Sequence, residues 1–278
     1  DITGSIRLVW TMKVWSEDTI AVHEQVLLDA HNAEIVFQYP LNNILNRRIY
    51  DADSKVAAVK EVDENVAVDV KDEWLVRSEG QGPKGIPDVD NAYTFLGDTY
   101  NFYLNLLGRN SIDDNGMELK AIVRSCLKDK TQPEGFQLVC PWQNAMWHGS
   151  GWMLFGEGFV VDDVTGHELT HGVTQFTSHL LSFGASGAIN ESLSDIFGEF
   201  VDLGNGQGND TPGVRWLIGE DLPADFLQVL GRPALRNMKY PTTFFDPDRL
   251  GSEYFWPLVG ADRGGIHHNC GVNNKLCY

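Results

Sequence analysis

The chain contains no uninterrupted apolar run approaching the roughly 20 residues that cross a bilayer, so no membrane-spanning helix is expected within it. It opens without a basic segment leading into an apolar core, and no targeting signal is visible. Basic residues are scarce: 21 Lys and Arg stand against 39 Asp and Glu, a formal charge of −18. Most of such a surface repels a phosphate backbone, which excludes nucleic acid as a partner. Internal repeats and low-complexity tracts are also missing. What remains is an ordinary globular composition, 278 residues with 42% apolar and 11% aromatic side chains, enough for a sizeable core in two lobes.

Cysteine is sparse but even in number, and the four allow three pairings. Cys126 and Cys140 bracket a turn-rich segment, Lys128 to Phe136, between two strand-like runs, and a disulfide is expected there. Cys270 and Cys277 fall on one predicted helix about 10 Å apart along its axis, too far for a bridge. They read as packing thiols or as partners of further segments. The pairing favours an oxidising compartment outside the cell.

The chemistry is concentrated in His167-Glu168-Leu169-Thr170-His171. Histidines one turn apart on one helical face can both reach a Zn²⁺ at about 2 Å. Glu168 points too far round the helix to ligate, but it can reach a water on the metal, the position of a general base. A hydrolytic zinc needs a third protein ligand and an open position, and Glu191 supplies a carboxylate from a second apolar-periodic helix, Ala188 to Val201. Asp195, one turn beyond Glu191, is placed to accept the other N–H of a ligating imidazole, that of His167. A lone HExxH also arises on solvated faces rich in Glu and His; the second helix, with Asn190-Glu191 and Asp195, decides against that bland reading.

These residues resemble the thermolysin-like family of zinc metalloendopeptidases, and the resemblance runs from about Arg48 to the last residue. Asn144-Ala145-Met146-Trp147 is similar to the family's segment that bonds the substrate backbone in antiparallel fashion, which implies that Asn144 and Ala145 bind peptide. Leu235-Arg236-Asn237-Met238 resembles the segment whose Arg holds a substrate carbonyl, so Arg236 is a binding candidate. Asp262-Arg263-Gly264-Gly265-Ile266-His267 resembles the stretch in which the His steadies the oxyanion and the Asp orients it, roles implied for His267 and Asp262. Tyr100 to Tyr103, Arg109 to Asp113 and Phe155-Gly156-Glu157-Gly158 match the family in ways that speak for fold. By the same resemblance Asp163, Asp202 and Glu220 take the positions of Ca²⁺ ligands, which as hard-cation donors suits them. Arg215, however, stands where an acid is expected, and its guanidinium is an alternative way to neutralise them.

Two further departures touch the mechanism. Ser182 takes the place of a Tyr that would assist His267, leaving the constellation one donor short, a loss of about 2.7–4 kcal/mol unless another Tyr or Arg236 compensates. The loop from Gly158 to Asp162 is short, so the pocket wall of Phe159, Val160 and Val164 is expected to differ from its relatives. Glu24 to Ile35 reads as a hairpin resembling the end of a zymogen propeptide, with processing between Pro40 and Lys60; a plain hairpin of the mature domain is the alternative. The resemblance also implies further helices after Tyr278.

The expected architecture is α+β and two-lobed: residues 1–46 as the tail of a propeptide, 47–165 as a β-rich lobe and 166–278 as a helical lobe, with the zinc site between the last two. The expected protein is a monomeric, secreted zinc endopeptidase whose partners are a peptide or protein substrate and its own propeptide. It would cut before apolar residues and carry Ca²⁺ besides Zn²⁺. The rival is an inactivated peptidase that binds zinc and partners without cleaving. A purely structural zinc is disfavoured, because no fourth ligand is placed nearby.

Overall fold

The computed structural model describes residues 8–15, 23–40, 45–61, 66–131 and 137–278. They divide into two units at residues 44 and 45. The first is an antiparallel sheet of β1 (Val9–Trp15), β2 (His23–Asp29) and β3 (Ile35–Pro40) in sequence order. β1 and β3 are rich in β-branched and aromatic residues, which suit the pleat. β2 and β3 form the hairpin expected from Glu24 to Ile35: Asp29 N donates to Glu34 O at 2.8 Å, and Ala33 turns the chain at φ 59°. Pro40 ends β3, but most of the expected processing region lies elsewhere, and its residues 41–44 fall outside the described residues.

In the second unit, β4 (Arg47–Asp51), β5 (Val56–Lys60), β6 (Val66–Val68) and β7 (Leu75–Ser78) precede the long helix α1 (Pro87–Leu107). Pro87 opens α1, Asp88 and Asp90 face its positive end, and Gly108 closes it in the left-handed conformation at φ 65°. Val89, Ala92, Leu96, Tyr100 and Tyr103, spaced by threes and fours, bury one stripe of it. β8 (Leu119–Val123), β9 (Cys126–Asp129), β10 (Gln137–Val139), β11 (Ala145–His148) and β12 (Trp152–Phe155) follow. They complete a five-stranded sheet, β11-β12-β8-β4-β7, and a four-stranded one, β10-β9-β5-β6. Cys126 and Cys140 are bonded, with Cα atoms 4.8 Å apart, while Cys270 is a buried free thiol and Cys277 a partly buried one. α1 packs on the five-stranded sheet through Ile49, Leu96, Leu119, Ala121, Met153 and Phe155, all fully buried. β11 is an edge: among the described residues it pairs only with β12.

The rest is mainly helical. α2 (Asp162–Gln175) and α3 (Gly184–Asn205) lie side by side, followed by the two-residue strands β13 (Leu217–Ile218) and β14 (Arg236–Asn237) around α4 (Ala224–Leu230), then α5 (Ala261–Asn269) and α6 (Gly271–Cys277). Residues 165 and 166 lie inside α2, so the chain enters the helical part along a continuous helix rather than through a linker. Among the described residues no helix is long and apolar enough to cross a membrane.

α2 is buried from Asp162 through Thr170, polar residues included, which requires a close neighbour. Glycine permits it. A Cβ on Gly198 of α3 would sit 2.5 Å from the Asp163 carbonyl, and one on Gly166 of α2 3.0 Å from the Gly198 Cα. Gly198→Ala is therefore expected to force the helices apart and to lower stability by about 1–3 kcal/mol in urea unfolding. An unchanged midpoint would mean that this contact does not limit the helix spacing.

Candidate metal centre and substrate cleft

The close pairing of α2 and α3 sets His167 and His171 against Glu191. One donor atom from each lies within 4.8 Å of the other two. The His167 and His171 Nε2 atoms face each other at 3.0 Å, and Glu191 Oε2 is 3.4 Å from the first and 3.6 Å from the second. Their outer nitrogens are held from behind. His167 Nδ1 lies 2.8 Å from Asp195 Oδ1; His171 Nδ1 lies 3.0 Å from Asn190 Oδ1 and 3.1 Å from Ser194 Oγ. Burial by itself would raise the pKa of Glu191, but the imidazoles of His171, His167 and His267 pull it well below the usual carboxylate range. Burial likewise works against a proton on His167, and the Asp195 and Glu191 carboxylates outweigh it, lifting the pKa to about 10. This pocket of carboxylate charge favours whatever cation it holds.

Asp195 is fully buried and saturated. Arg236 donates to both of its oxygens, at 2.7 and 2.6 Å, and Asn274 of α6 donates to Oδ2 at 2.7 Å. Ser192 Oγ in turn donates to Asn274 Oδ1 at 2.6 Å. Arg236 thus lines the cleft while its charge is committed to Asp195.

Around this centre runs a cleft of about 1240 Å³, larger than the ~300–1,000 Å³ of small-ligand sites. One wall is the β11 edge, with Asn144 and Ala145 at its start. Glu168 Oε2 accepts the Trp147 N–H of that strand at 2.6 Å, which fixes the carboxylate against the wall. The opposite wall is the entry to α5, where His267 Nδ1 meets Asp262 Oδ1 at 2.5 Å and Asp262 Oδ2 accepts the His267 N–H at 2.9 Å. An apolar floor of Phe159, Val164, Ile218, Phe226 and Leu235 surrounds Arg236. Val160 is buried in the core behind that floor.

Residues 16–175 match the model of the thermolysin metallopeptidase catalytic domain, and 178–278 that of the thermolysin metallopeptidase alpha-helical domain. The chain belongs to the thermolysin metallopeptidase family. It is 38% identical over 251 residues to a zinc metalloproteinase of Renibacterium salmoninarum, covering 84% of this chain and 43% of that protein. It is 38% identical over 220 residues to an extracellular metalloprotease of Pectobacterium carotovorum subsp. carotovorum, covering 73% and 58%. Among solved structures, the precursor of protealysin, a metalloproteinase from Serratia proteamaculans, superposes with a TM-score of 0.64 at 32% identity, over 84% of this chain and 67% of that one. The chain spans about half the length of the curated relatives it matches. Its architecture is the family's, a β-rich N-terminal part and a helical C-terminal part with the metal group where they meet.

The donor set suits the family's zinc. Glu191 Oε2 is buried and accepts no hydrogen bond, an orphan that a cation would satisfy, and two nitrogens with one carboxylate oxygen make a three-donor site with room for a fourth position.

A second acidic group is formed by Asp163 of α2, Glu199 and Asp202 of α3, and Asp210 and Glu220 from the segment that follows. Asp163 accepts the Gly219 and Val164 N–H groups, and Glu199 accepts the Trp216 N–H at 2.6 Å. Glu199 Oε2, Glu220 Oε2 and Asp210 Oδ1 are buried without a hydrogen-bond partner. Burial first, then mutual repulsion, raises the pKa of Asp163 to about 7, Glu199 to about 8, Glu220 to about 9 and Asp202 to about 10. Arg215 does not neutralise them: it is exposed and its Nε donates to the Asp210 carbonyl at 3.0 Å.

Ser182 lies on the cleft wall, and no tyrosine is among the described residues lining it. Its hydroxyl accepts Arg263 Nη1 at 2.7 Å. Sequence reasoning missed Arg263 as a cleft residue, Glu199 in the acidic group, and Phe226, Ile218 and Leu235 in the floor. It also missed Asn274, which no local pattern marks. The Asn before Glu191 was a usable signal for the His171 partner.

Proposed function

We propose that the chain is the catalytic part of a zinc endopeptidase that hydrolyses internal bonds of peptides or proteins. The reading rests above all on the juxtaposition of the His167, His171 and Glu191 donors with the Glu168 carboxylate beside an open strand edge. Substrate lies antiparallel along β11, its backbone bonded at Asn144 and Ala145. Zinc, when bound by the three donors, supplies a Lewis acid that polarises the scissile carbonyl and acidifies water. Glu168 takes a proton from the attacking water and passes it to the leaving amine. His267, oriented by Asp262, donates Nε2–H to the developing oxyanion. The apolar floor favours an apolar residue on the leaving side of the bond. Arg236, bound to Asp195, positions His167 and has further donors for a substrate carbonyl.

Hydrolysis of internally quenched peptides by the purified protein tests this. Cleavage that a zinc chelator abolishes and added Zn²⁺ restores is the expected result; tight zinc binding with no cleavage would replace the reading by that of an inactivated binding module.

The N-terminal sheet is the tail of a propeptide, and the protein is exported as a monomeric zymogen. The likeness to a protealysin precursor and to a protein named an extracellular metalloprotease supports this part. Mass spectrometry of the maturing protein should find a new N-terminus between Pro40 and Lys60; an uncut chain with full activity would count against it.

Ca²⁺ binds at Asp163, Asp202 and Glu220, joined by Glu199. These carboxyls have raised pKa values in the folded chain, so the unfolded chain loses its protons first and stability falls as pH climbs from about 4 through the range of about 7–10. A bound cation reverses the trend. Melting temperature should drop between about pH 5 and pH 8 in the presence of a chelator and recover with Ca²⁺; a melting temperature indifferent to Ca²⁺ at the higher pH would remove calcium from the account.

A further inference from the structure

Most charged groups lining the cleft are engaged; among the described residues Lys60, half-buried, and Arg263 form no ion pair there. Glu191 faces three imidazoles, Asp262 is bonded to His267, Glu168 holds a backbone N–H, and Arg236 gives its charge to Asp195 through two nitrogens, with only its remaining N–H groups for substrate. Arg263 is different. Its side chain is exposed, and its hydrogen bond is to a neutral acceptor, the Ser182 hydroxyl at 2.7 Å. A guanidinium carries five N–H donors in a planar fork, so one bond to Ser182 leaves most of them for a ligand at the cleft that Arg263 lines.

The backbone holds this cation in place. Asp262 and Arg263 are both left-handed, at φ 53° and 51°, and Gly264 and Gly265 continue the run at 89° and 69°. Consecutive left-handed residues other than glycine cost energy and persist only where the surroundings impose them, commonly at functional sites. The surroundings here are tight: a Cβ on Gly264 would lie 2.5 Å from the Leu258 carbonyl, and one on Gly265 2.4 Å from Trp256 Cβ. The segment is thus packed closely on 256–258, with Arg263 next to Asp262, which bonds His267. Ser182 fixes the far end of the side chain from the α2–α3 connection.

We propose that Arg263 is a specificity-determining residue that binds a carboxylate of the substrate close to the scissile bond. The assignment rests on the peptidase reading above and narrows its substrate class: in a chain of formal charge −18 a basic peptide would be drawn by the general field, and Arg263, next to the Asp262–His267 pair, is a local feature that accepts an acidic one. The carboxylate is an Asp or Glu side chain or the free C-terminus of a short peptide.

The test uses the zinc-loaded protein and end-blocked quenched peptides in which Glu, Gln or Lys is moved through each position around the cut, with a parallel set bearing a free C-terminal carboxylate. kcat/KM for Glu over Gln should be about fivefold at one position, the size expected of a partly exposed pair, and should shrink as salt is raised. Arg263→Gln should bring that ratio to one, and Arg263→Glu should turn the preference toward Lys. The ratio is read within each variant, so a change common to all peptides cancels. A preference confined to the free-terminus set would identify the terminal carboxylate as the ligand. A wild-type protein that cleaves without any carboxylate preference, or an Arg263→Gln variant that keeps it, overturns the inference alone. An equal fall on every peptide also overturns it and moves Arg263 to the reacting carbonyl, while no cleavage by wild type overturns the peptidase reading together with this one.

Discussion

Replacing Glu168 by Gln is expected to leave zinc binding and folding intact while lowering peptide hydrolysis by a factor of about 10²–10⁴, the usual worth of a positioned general base. The amide keeps the shape of the side chain, and its oxygen can still accept the Trp147 N–H that Glu168 Oε2 accepts at 2.6 Å. What is lost is the carboxylate's ability to take up a proton. Zinc content, thermal melting and kcat on a single peptide would be measured side by side. Turnover near the wild-type rate would sink the mechanism, and loss of zinc would mean that Glu168 shapes the metal centre rather than the proton transfer.

Asp195→Ala should be the most damaging substitution away from the metal donors. Asp195 is completely buried between Arg236, Asn274 and His167, and Arg236 and His167 hold its pKa far down against the opposing effect of burial. Removing the carboxylate leaves a buried guanidinium without its partner, which typically costs about 3–5 kcal/mol. His167 also loses the acceptor that fixes its tautomer, and zinc affinity should drop by about 10–100-fold. Urea unfolding of the zinc-free protein reads the first effect and chelator competition the second. A stability change under about 1 kcal/mol would show that water replaces the carboxylate and that the network is not a unit.

The metal group was legible because its donors lie on two helices whose periods are short and rigid. His167 and His171 must share a face, and Glu191 and Asp195 must share another, so two local patterns contain most of a site formed between them. The same holds for the Glu24 to Ile35 hairpin and for the Cys126 to Cys140 bracket, where partners are close along the chain. Arg236 shows the limit. The resemblance points to a hand for substrate, and the fold gives that hand to Asp195 first, a contact spanning 41 positions that no pattern encodes.

Spacing along the chain was thus enough to point to the family and to the grouping of His167, His171 and Glu191 with Asp195 behind His167, because helical geometry converts spacing into direction. Which groups stand opposite one another followed from packing between distant segments. It brought Asn274 from the last helix onto Asp195, Glu199 among the buried acids and Arg263 onto Ser182. It also put Arg215 on the Asp210 backbone carbonyl, without an ion pair to the acidic group for which it was the alternative to a cation. Such contacts depend on how closely α2 and α3 approach at Gly166 and Gly198 and on a left-handed loop before His267, and both are set by packing between distant segments rather than by any period along the chain.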